Sequence, residues 1–364
     1  MRHPSRRILI TGLNTYWGGR LAQEIERDPD VETVIGVSAE DPTIELERTE
    51  FVRVGNQHAL LRRIVQAAEI DTVIDTRLVV DSFVMPARAA HENNVIGTMN
   101  ILAACSGPDS PVRKVVFKSS AHYYGAERDD PAFFTEDMER PHPPRTRLES
   151  DIVEAERAVA SFAHRYRELT VTVLRFVNGV GPNIRTSHLR LFRLPAIPGI
   201  LGFDPRYQFI HEEDIVGVLE HALHEDLPGI YNAGGDGVLV LSEVASLLNK
   251  PYAPVLPPWG TAAAARALAP VGVRLPEEVL RQLRYGRGVD NRKLKAAGYR
   301  YQFTTREALI KLAEYFRVAP LLEGRRGGYR YEREVENFLR YSPSVRNRPA
   351  RGPENVAAGV REDD

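Results

Sequence analysis

The sequence predicts an α/β fold in which a doubly wound parallel β-sheet is followed by a smaller C-terminal lobe. Two observations support this prediction. The first three quarters of the chain alternate short β-branched runs with longer amphipathic runs, the pattern of strand–helix–strand units around a buried parallel sheet. With 364 residues, 43% of them hydrophobic, the chain is also long enough to bury the core that such a sheet requires.

Seven runs are expected to form strands. They are RILIT (7–11), TVIGVS (33–38), TEFVRV (49–54), DTVID (71–75), KVVFKS (114–119), TVTVLRF (170–176) and GIYNAG (229–234). Helices are expected between them, around 18–27, 58–69, 86–105 and 148–168. This spacing is that of a Rossmann-like sheet, in which ligands bind at the carboxyl ends of the strands.

The first strand runs into a glycine turn and a helix, in the stretch ILITGLNTYWGGRLAQEIE. A dinucleotide pyrophosphate binds to backbone N–H groups at such a helix N-terminus. Gly12 can make the tight turn, and Gly18 can let the helix pack close to the strand. Because glycine turns before helices are common, this signal alone is weak.

The alternation of runs loosens from about residue 181, where segments rich in proline with arginine or alanine appear. We predict a Rossmann dinucleotide-binding core over residues 1–180, completed by strands near 205–235. A small substrate lobe is expected from 181–204 and 236–325. Residues 326–364 are polar and punctuated by glycine and proline, so a partly disordered tail is expected there.

Composition excludes several partners. The chain has 48 Lys and Arg against 49 Asp and Glu, a balance without the basic surface that nucleic acids or anionic membranes require. No run approaches the ~18 apolar residues of a membrane span. The one cysteine, Cys105, cannot form an intramolecular disulfide, and MRHPSRRILITG lacks the apolar stretch of a signal peptide. A cytoplasmic location is therefore expected.

Later segments make the prediction specific. They are HENNVIGTMNILAAC, VRKVVFKSSAHYYG, VTVLRFVNGVGP, FIHEEDIVGVLEHAL, GIYNAGGDGVLVLSEVASLL and VDNRKLKAAGYRYQFTTREALIKLAEYFR. In order and spacing, over about residues 6–318, they resemble the extended short-chain dehydrogenase/reductase family, also called the NAD-dependent epimerase/dehydratase family. The resemblance implies NAD or NADP as cofactor and a lobe for a nucleotide-sugar or another bulky substrate. It also implies a homodimer paired through the helices at 86–105 and 148–168.

The cofactor end departs from the family pattern at several points. Thr15 stands where the middle glycine of TGxxGxxG is expected, and Ser38 stands where an acidic residue usually holds the adenosine ribose. Gly55 and Asn56 replace the aspartate that meets the adenine, and a loop of the HLAA type becomes DTRL, which places Arg77 near the pyrophosphate or nicotinamide ribose. The resemblance assigns the following residues to the cofactor: Gly12, Asn14, Thr15, Tyr16, Trp17, Gly18, Ser38, Asn56, Arg77, Asn94 and Ser119.

The catalytic end departs further. The family uses a serine to polarise the substrate and a YxxxK pair in which the lysine lowers the pKa of the tyrosine, since a free phenol titrates near ~10. Ser120 matches the serine, but Arg147 and Asp151 match the tyrosine and the lysine. Arginine cannot accept a proton, and aspartate would raise the pKa of a neighbouring acid. The two residues either form a salt bridge at i, i+4 or belong to a repurposed site.

A replacement constellation is predicted beside Ser120. Strand residues two apart share a face, so Lys118 should lie next to Ser120, with His122 and Tyr124 following in the loop. As a hypothesis, Lys118 supplies the missing cation and Tyr124 or His122 transfers the proton. Asn178 and Arg206 are the candidate substrate contacts in the lobe.

No metal site is expected, because His211 in FIHEED has no second histidine or cysteine at ligand spacing. Two functions stay open from the sequence. One is an NAD(P)-dependent epimerase, dehydratase or oxidoreductase with a non-standard proton donor. The other is a catalytically silent relative that binds a dinucleotide as a sensor or scaffold.

Overall fold

A computed structural model describes residues 5–55, 57–267, 275–322 and 329–345. Its strands, in chain order, are β1 (Arg7–Thr11), β2 (Thr33–Ser38), β3 (Glu50–Arg53), β4 (Thr72–Asp75), β5 (Lys114–Ser120), β6 (Thr170–Phe176), β7 (Asn178–Val180), β8 (Ile197–Ile200), β9 (Arg206–Tyr207), β10 (Phe209–His211), β11 (Gly229–Ala233), β12 (Leu239–Val240) and β13 (Tyr252–Leu256). Seven of them form one parallel sheet in the order β3-β2-β1-β4-β5-β6-β11. The predicted doubly wound Rossmann-like sheet is confirmed.

The helices, in chain order, are α1 (Tyr16–Ile25), α2 (His58–Ala67), α3 (Ala87–His91), α4 (Gly97–Cys105), α5 (Arg147–Arg165), α6 (Ser187–Arg193), α7 (Glu212–His224), α8 (Leu241–Leu247), α9 (Thr261–Ala267), α10 (Glu277–Tyr285), α11 (Arg292–Ala296), α12 (Thr305–Leu322) and α13 (Arg333–Tyr341). A π-helical segment, Glu92–Ile96, joins α3 to α4. Helices α1 and α7 cover one face of the sheet, and α2, α4 and α5 cover the other. Because both faces are covered, the five inner strands from β2 to β6 are buried along almost their whole length.

Strand β5 is buried at every position, although it contains two lysines. The Lys114 ammonium group donates to the carbonyls of Leu223 and Glu225 at 2.8 and 3.0 Å and pairs with Asp226 at 3.1 Å. A buried lysine needs such partners. Lys118, four residues on at the carboxyl end of the strand, lies in a different environment.

The small lobe has its own apolar core, built from residues between Val180 and Leu312. Three two-stranded sheets, β7–β10, β8–β13 and β9–β12, frame it. Of the strands predicted near 205–235, β11 joins the main sheet, whereas β9 and β10 pair within these small sheets. The small lobe therefore begins beside the carboxyl end of β6 and packs next to the edge where the strands of the main sheet end.

The described part of the predicted tail contains α13. The Arg340 guanidinium donates to the carbonyl of Thr49 at 2.6 Å, and the Tyr331 ring meets Phe51 edge-on at 5.3 Å. These contacts cover the edge strand β3. The rest of the predicted tail, from 346 on, lies outside the described residues. In the part of the chain that the structure describes, no helix has both the length and the apolar character needed to cross a membrane.

Candidate active site

A cleft of about 560 Å³ opens at the carboxyl ends of the strands. Its rim includes segment 78–81 with Val84 and Met85, and residues 183–186 of the small lobe. Parallel sheets of this kind place their ligand at this edge. Of the predicted cofactor residues, the cleft is lined by Asn14, Thr15, Tyr16, Trp17, Ser38, Arg77 and Ser119. Asn56 lies outside the described residues.

The glycine turn after β1 brings a helix N-terminus to the cleft. Gly12 has a φ of +80°, a conformation that glycine adopts without strain. A Cβ at Gly18 would overlap the carbonyl oxygen of Gly12, so a glycine is needed for α1 to approach β1 this closely. The two glycines shape the turn, and α1 points its unpaired N–H groups towards the cavity.

Thr15, in place of the expected glycine, caps α1. Its hydroxyl donates to the carbonyl of Gly12 at 2.7 Å and accepts from the N–H of Gly18 at 3.1 Å. It also lies 3.2 Å from the Thr76 hydroxyl. The threonine hydroxyl is therefore engaged within the turn, and an anion at this helix would meet the N–H groups of Tyr16 and Trp17.

The end of the cleft beside β2 contains an acidic residue that sequence reasoning missed. Glu40 lines the cleft two residues after Ser38, and its carboxylate accepts from the Asn14 amide at 3.2 Å. The Ser38 hydroxyl donates to the carbonyl of Glu40. The signal was the AED sequence that follows β2, but only the course of the loop shows that Glu40 turns into the cleft.

Two cations line the cleft, Arg77 and Lys118, and the buried carboxylate of Asp75 acts on both. Asp75, buried at the end of β4, forms a bidentate ion pair with Arg77, with N···O distances of 3.0 and 3.1 Å. It also accepts from the Thr11 hydroxyl at 2.8 Å. The Arg77 guanidinium lies so close over Gly97 that a Cβ there would overlap it. Thus Asp75 orients Arg77 along the wall of the cleft.

Lys118 is the second of these cations. Its ammonium group lies 5.1 Å from the centre of the Trp17 ring and 5.8 Å from that of Phe176. Within the described residues it makes no ion pair, in contrast to Lys114. Burial lowers the pKa of Lys118 to about 8, and the Asp75 carboxylate opposes this shift. Together, Asp75, Arg77 and Lys118 carry one net positive charge.

Asn94 holds the loop that carries Arg77. Its side-chain amide exchanges two hydrogen bonds with the backbone of Val79, at 2.8 and 2.7 Å. Asn93 adds a bond to the carbonyl of Arg77 at 2.9 Å. Both residues belong to the π-helical segment, a feature frequent at functional sites. Asn94 therefore positions the cleft wall without being part of its lining.

Ser120 lines the cleft and forms a pair with His122. The serine hydroxyl lies 2.8 Å from His122 Nδ1, and both side chains are buried. Burial lowers the pKa of His122 well below its usual value, and the nearby Arg287 adds to the shift. The imidazole is neutral as a result, and a neutral imidazole nitrogen can accept a hydrogen bond from the serine hydroxyl.

A model of the NAD dependent epimerase/dehydratase family matches residues 8–234, more than half of the chain. The chain belongs to this family. An uncharacterized protein of Mycobacterium tuberculosis (strain ATCC 25618 / H37Rv) is 32% identical to it over 329 residues, which is 88% of this chain and 86% of that protein. An uncharacterized protein of Mycobacterium bovis matches to the same extent.

Solved structures of sugar-nucleotide enzymes have the same fold. UDP-glucose 4-epimerase of Thermotoga maritima, with UDP-glucose, has a TM-score of 0.66 at 18% identity over 86% of this chain and 99% of that one. UDP-glucuronic acid 4-epimerase of Bacillus cereus, with UDP-glucuronic acid and NAD, has a TM-score of 0.65 at 17% identity over the same shares. dTDP-glucose 4,6-dehydratase of Bacillus anthracis, with NAD, has 0.63 at 18% identity over 86% and 96%.

Arg147 and Asp151, which the sequence analysis predicts at the tyrosine and lysine positions of the family, do not form the expected salt bridge. Asp151 is buried and bonds to His91 Nδ1 at 2.8 Å, whereas the Arg147 side chain is exposed. The salt-bridge prediction is wrong because the first turn of α5 faces α3, which offers Asp151 an imidazole 60 positions earlier in the chain. Neither residue lines the cleft.

Several other predicted residues lie away from the cleft lining. The Tyr124 ring stacks on Phe134 at 4.5 Å, and its hydroxyl donates to Asn232 at 2.9 Å, so Tyr124 is a core residue. Ser119 does line the cleft, but its hydroxyl donates to Glu156 of α5, on the other side of the sheet. Asn178 pairs within the β7–β10 sheet, and the Arg206 side chain is exposed. His122, not Tyr124, is thus the proton-transfer candidate that the fold brings to Ser120.

The His91–Asp151 contact gives a pH dependence. The hydrogen bond to Asp151 raises the pKa of His91 above its usual 6.5. The contact therefore stabilises the fold fully below pH 6.5, and this stabilisation is lost as the pH rises through the raised value. We expect the free energy of unfolding, measured in urea from pH 5.5 to 8.5, to decline with pH more in the wild type than in His91→Gln. Parallel curves for the two proteins would contradict this account.

Proposed function

We propose that the cleft binds NAD and that the chain oxidises a hydroxyl-bearing carbon of its substrate, or reduces the corresponding carbonyl, through the Ser120–His122 pair. The observation that carries this is the 2.8 Å contact between the cleft-lining Ser120 hydroxyl and a neutral imidazole. It supplies the proton acceptor that Arg147 and Asp151 cannot supply. The predicted cytoplasmic location and homodimer stay predictions.

The described residues fit a dinucleotide. The N-terminus of α1 and the cations Lys118 and Arg77 suit a pyrophosphate, and the cavity of about 560 Å³ is in the usual range for such ligands. The Glu40 carboxylate suits a ribose with a free 2′-hydroxyl and repels a 2′-phosphate. Arg53, the nearest arginine of β3, pairs with Asp41. These contacts support NAD over NADP.

NAD, when bound, supplies the acceptor for a hydride from the substrate carbon. The Ser120 hydroxyl takes the proton of the substrate hydroxyl while it passes its own proton to His122 Nδ1, so that an alcohol becomes a ketone and the imidazole becomes charged. Reduction runs these steps backwards. Lys118 stabilises negative charge at the cleft floor in the place of the missing helix lysine.

The second candidate function is that of a silent binder, a catalytically silent protein that binds the dinucleotide as a sensor or scaffold. It is favoured by the exposure of Arg147 and the pairing of Asp151 with His91. The test is reduction of NAD by the purified chain in the presence of UDP-glucose, UDP-glucuronic acid or their free sugars. Formation of reduced nicotinamide with any of them supports the enzyme. NAD binding without reduction by any of these compounds supports the silent binder.

We expect Lys118→Met to weaken NAD binding about tenfold or more, because a desolvated cation is lost beside the pyrophosphate. The same variant should have a higher Tm without cofactor, since burying the ammonium ion opposes folding. Calorimetric titration and thermal unfolding measure the two effects. Lys114→Met, on the same strand but paired at the other end of the sheet, is the control and should keep the NAD affinity. Equal NAD affinity of the wild type and Lys118→Met would refute the role of Lys118 in cofactor binding.

Glu40→Gln should change the choice of cofactor. Removing the carboxylate is expected to improve NADP binding relative to NAD by about tenfold, since like charges near the surface repel by about 1 kcal/mol or more. Dissociation constants for both cofactors measure this. Glu50→Gln, at an exposed position of β3, should leave the ratio unchanged. An unchanged ratio in Glu40→Gln would remove Glu40 from the site.

His122→Asn should lower kcat about 10²- to 10⁴-fold for any compound that the wild type oxidises, with the NAD dissociation constant unchanged. Tyr124→Phe removes a hydroxyl that bonds in the core and should cost about 1 kcal/mol of stability while kcat is kept. The reverse result, a loss of kcat in Tyr124→Phe alone, would transfer the role to the tyrosine.

A further inference from the structure

Lysine is rare in this chain. Of the 48 Lys and Arg residues only six are lysines, and they are Lys114, Lys118, Lys250, Lys293, Lys295 and Lys311. Among the described residues that line the cleft, Lys118 is the one lysine. Arginine stays protonated in proteins, whereas a buried lysine can lose its proton and become a nucleophilic amine. Lys118 therefore offers the cleft a chemistry that its arginines lack.

Most of the other lysines are held by hydrogen bonds or ion pairs. They are Lys114, Lys250, Lys293 and Lys295. Lys118 has neither a hydrogen-bond acceptor nor an ion pair among the described residues, and its ammonium group lies against aromatic rings. Lys311 is in the same state, with its ammonium group 4.5 Å from the centre of the Phe303 ring, but its side chain is exposed. The chain thus contains one unpartnered lysine in a cavity and an exposed counterpart for comparison.

The Lys118 nitrogen is open to the cleft, although the residue is only 4% exposed. The enclosed side-chain atoms that lack a hydrogen-bond partner in the described part of the chain do not include Lys118 Nζ, so part of this atom is accessible. Trp17 and Phe176, whose rings flank it, line the same cleft. A molecule that reacts with Nζ therefore has to enter through the cleft of about 560 Å³ and be small at its reacting end.

The surroundings of Lys118 favour the neutral amine. Burial lowers the pKa of Lys118 to about 8, and the Asp75 carboxylate opposes this shift. At pH 8 about half of Lys118 is then neutral, against roughly 0.4% of a lysine that titrates near ~10.4. A desolvated amine of this kind adds to carbonyl groups.

The cleft also selects the charge of the reacting molecule. Arg77 and the N-terminus of α1 line it next to Lys118, and both suit a phosphate group. The carboxylates in the described lining are those of Glu40, at the end beside β2, and Asp81, which is bound to Ser187. A phosphate near Lys118 therefore meets positive partners.

We propose that Lys118 of the cofactor-free chain captures a small phosphorylated aldehyde as an imine. The Nζ lone pair adds to the carbonyl carbon, and the carbonyl oxygen leaves as water with the two protons of the neutral amine. A C=N double bond replaces the C=O double bond, and no oxidant or reductant is required. The phosphate lies at Arg77 and α1, so the aldehyde and NAD compete. The capture itself does not rest on the proposed function, whereas the competition with NAD does.

The test exposes the full chain at pH 8 to glyceraldehyde 3-phosphate or glyceraldehyde, traps imines with cyanoborohydride, and measures the rate of modification of each lysine by peptide mass spectrometry. We expect glyceraldehyde 3-phosphate to modify Lys118 at least ten times faster than Lys311 and Lys114, and at least ten times faster than glyceraldehyde modifies Lys118. Lys114 is the control for burial in the same strand, and Lys311 is the control for the missing partner. Lys118→Met should remove the fast site and leave the rates of the other lysines unchanged.

Modification of Lys118 no faster than that of Lys311 would overturn the proposal. Equal rates at Lys118 with glyceraldehyde and with its phosphate would overturn the assignment of a phosphorylated ligand. Failure of the proposed function has a different signature. In that case saturating NAD leaves the fast modification of Lys118 unchanged, whereas slower modification in the presence of NAD supports both the capture and the cofactor site.

Discussion

The buried carboxylate of Asp75 is the interaction on which the cleft depends. It holds the Arg77 guanidinium through two contacts of about 3 Å and opposes the fall in the pKa of Lys118. One buried anion beside two cations leaves this group of three with one net positive charge, which suits a ligand with a negative charge. Thr15 and Arg77 depart from the family pattern, and Lys118 departs from the pattern of a buried strand. All three lie around the same cavity. We read them as one rearranged site for the cofactor phosphates.

The same cavity connects the two lobes. Asp81 accepts from the N–H and hydroxyl of Ser187 in the small lobe, and Glu278 accepts two hydrogen bonds from Ser82. These bonds tie the loop after β4 to α6 and α10. The loop after β4, which forms part of the cleft rim, is thus tied to the small lobe by four hydrogen bonds. In this account the chain keeps the family fold. The cation of the proposed site comes from β5, and the proposed proton acceptor comes from the turn after β5.

The sheet could be predicted from the sequence because buried parallel strands are continuous β-branched runs, and β1, β2 and β6 have the predicted bounds. The placement of Ser120 and Lys118 side by side could be predicted, because residues two apart in a strand share a face. The partner of Asp151 could not be predicted, since His91 lies 60 positions earlier in the chain and the contact depends on how α3 and α5 pack. Glu40 was not predicted as a cleft residue because the course of a loop sets the direction of its side chain, and loops have no sequence periodicity. The burial of Tyr124 could not be predicted, because a tyrosine after a strand packs inward as readily as outward.

The most direct test of the central claim is a crystal structure of the chain grown with saturating NAD. The account predicts NAD along the cleft with the Lys118 ammonium nitrogen about 2.7–3.2 Å from a cofactor oxygen, and the adenosine ribose hydroxyls at Glu40. A cofactor bound elsewhere, or bound in the cleft with Lys118 still directed only at Trp17 and Phe176, would contradict it.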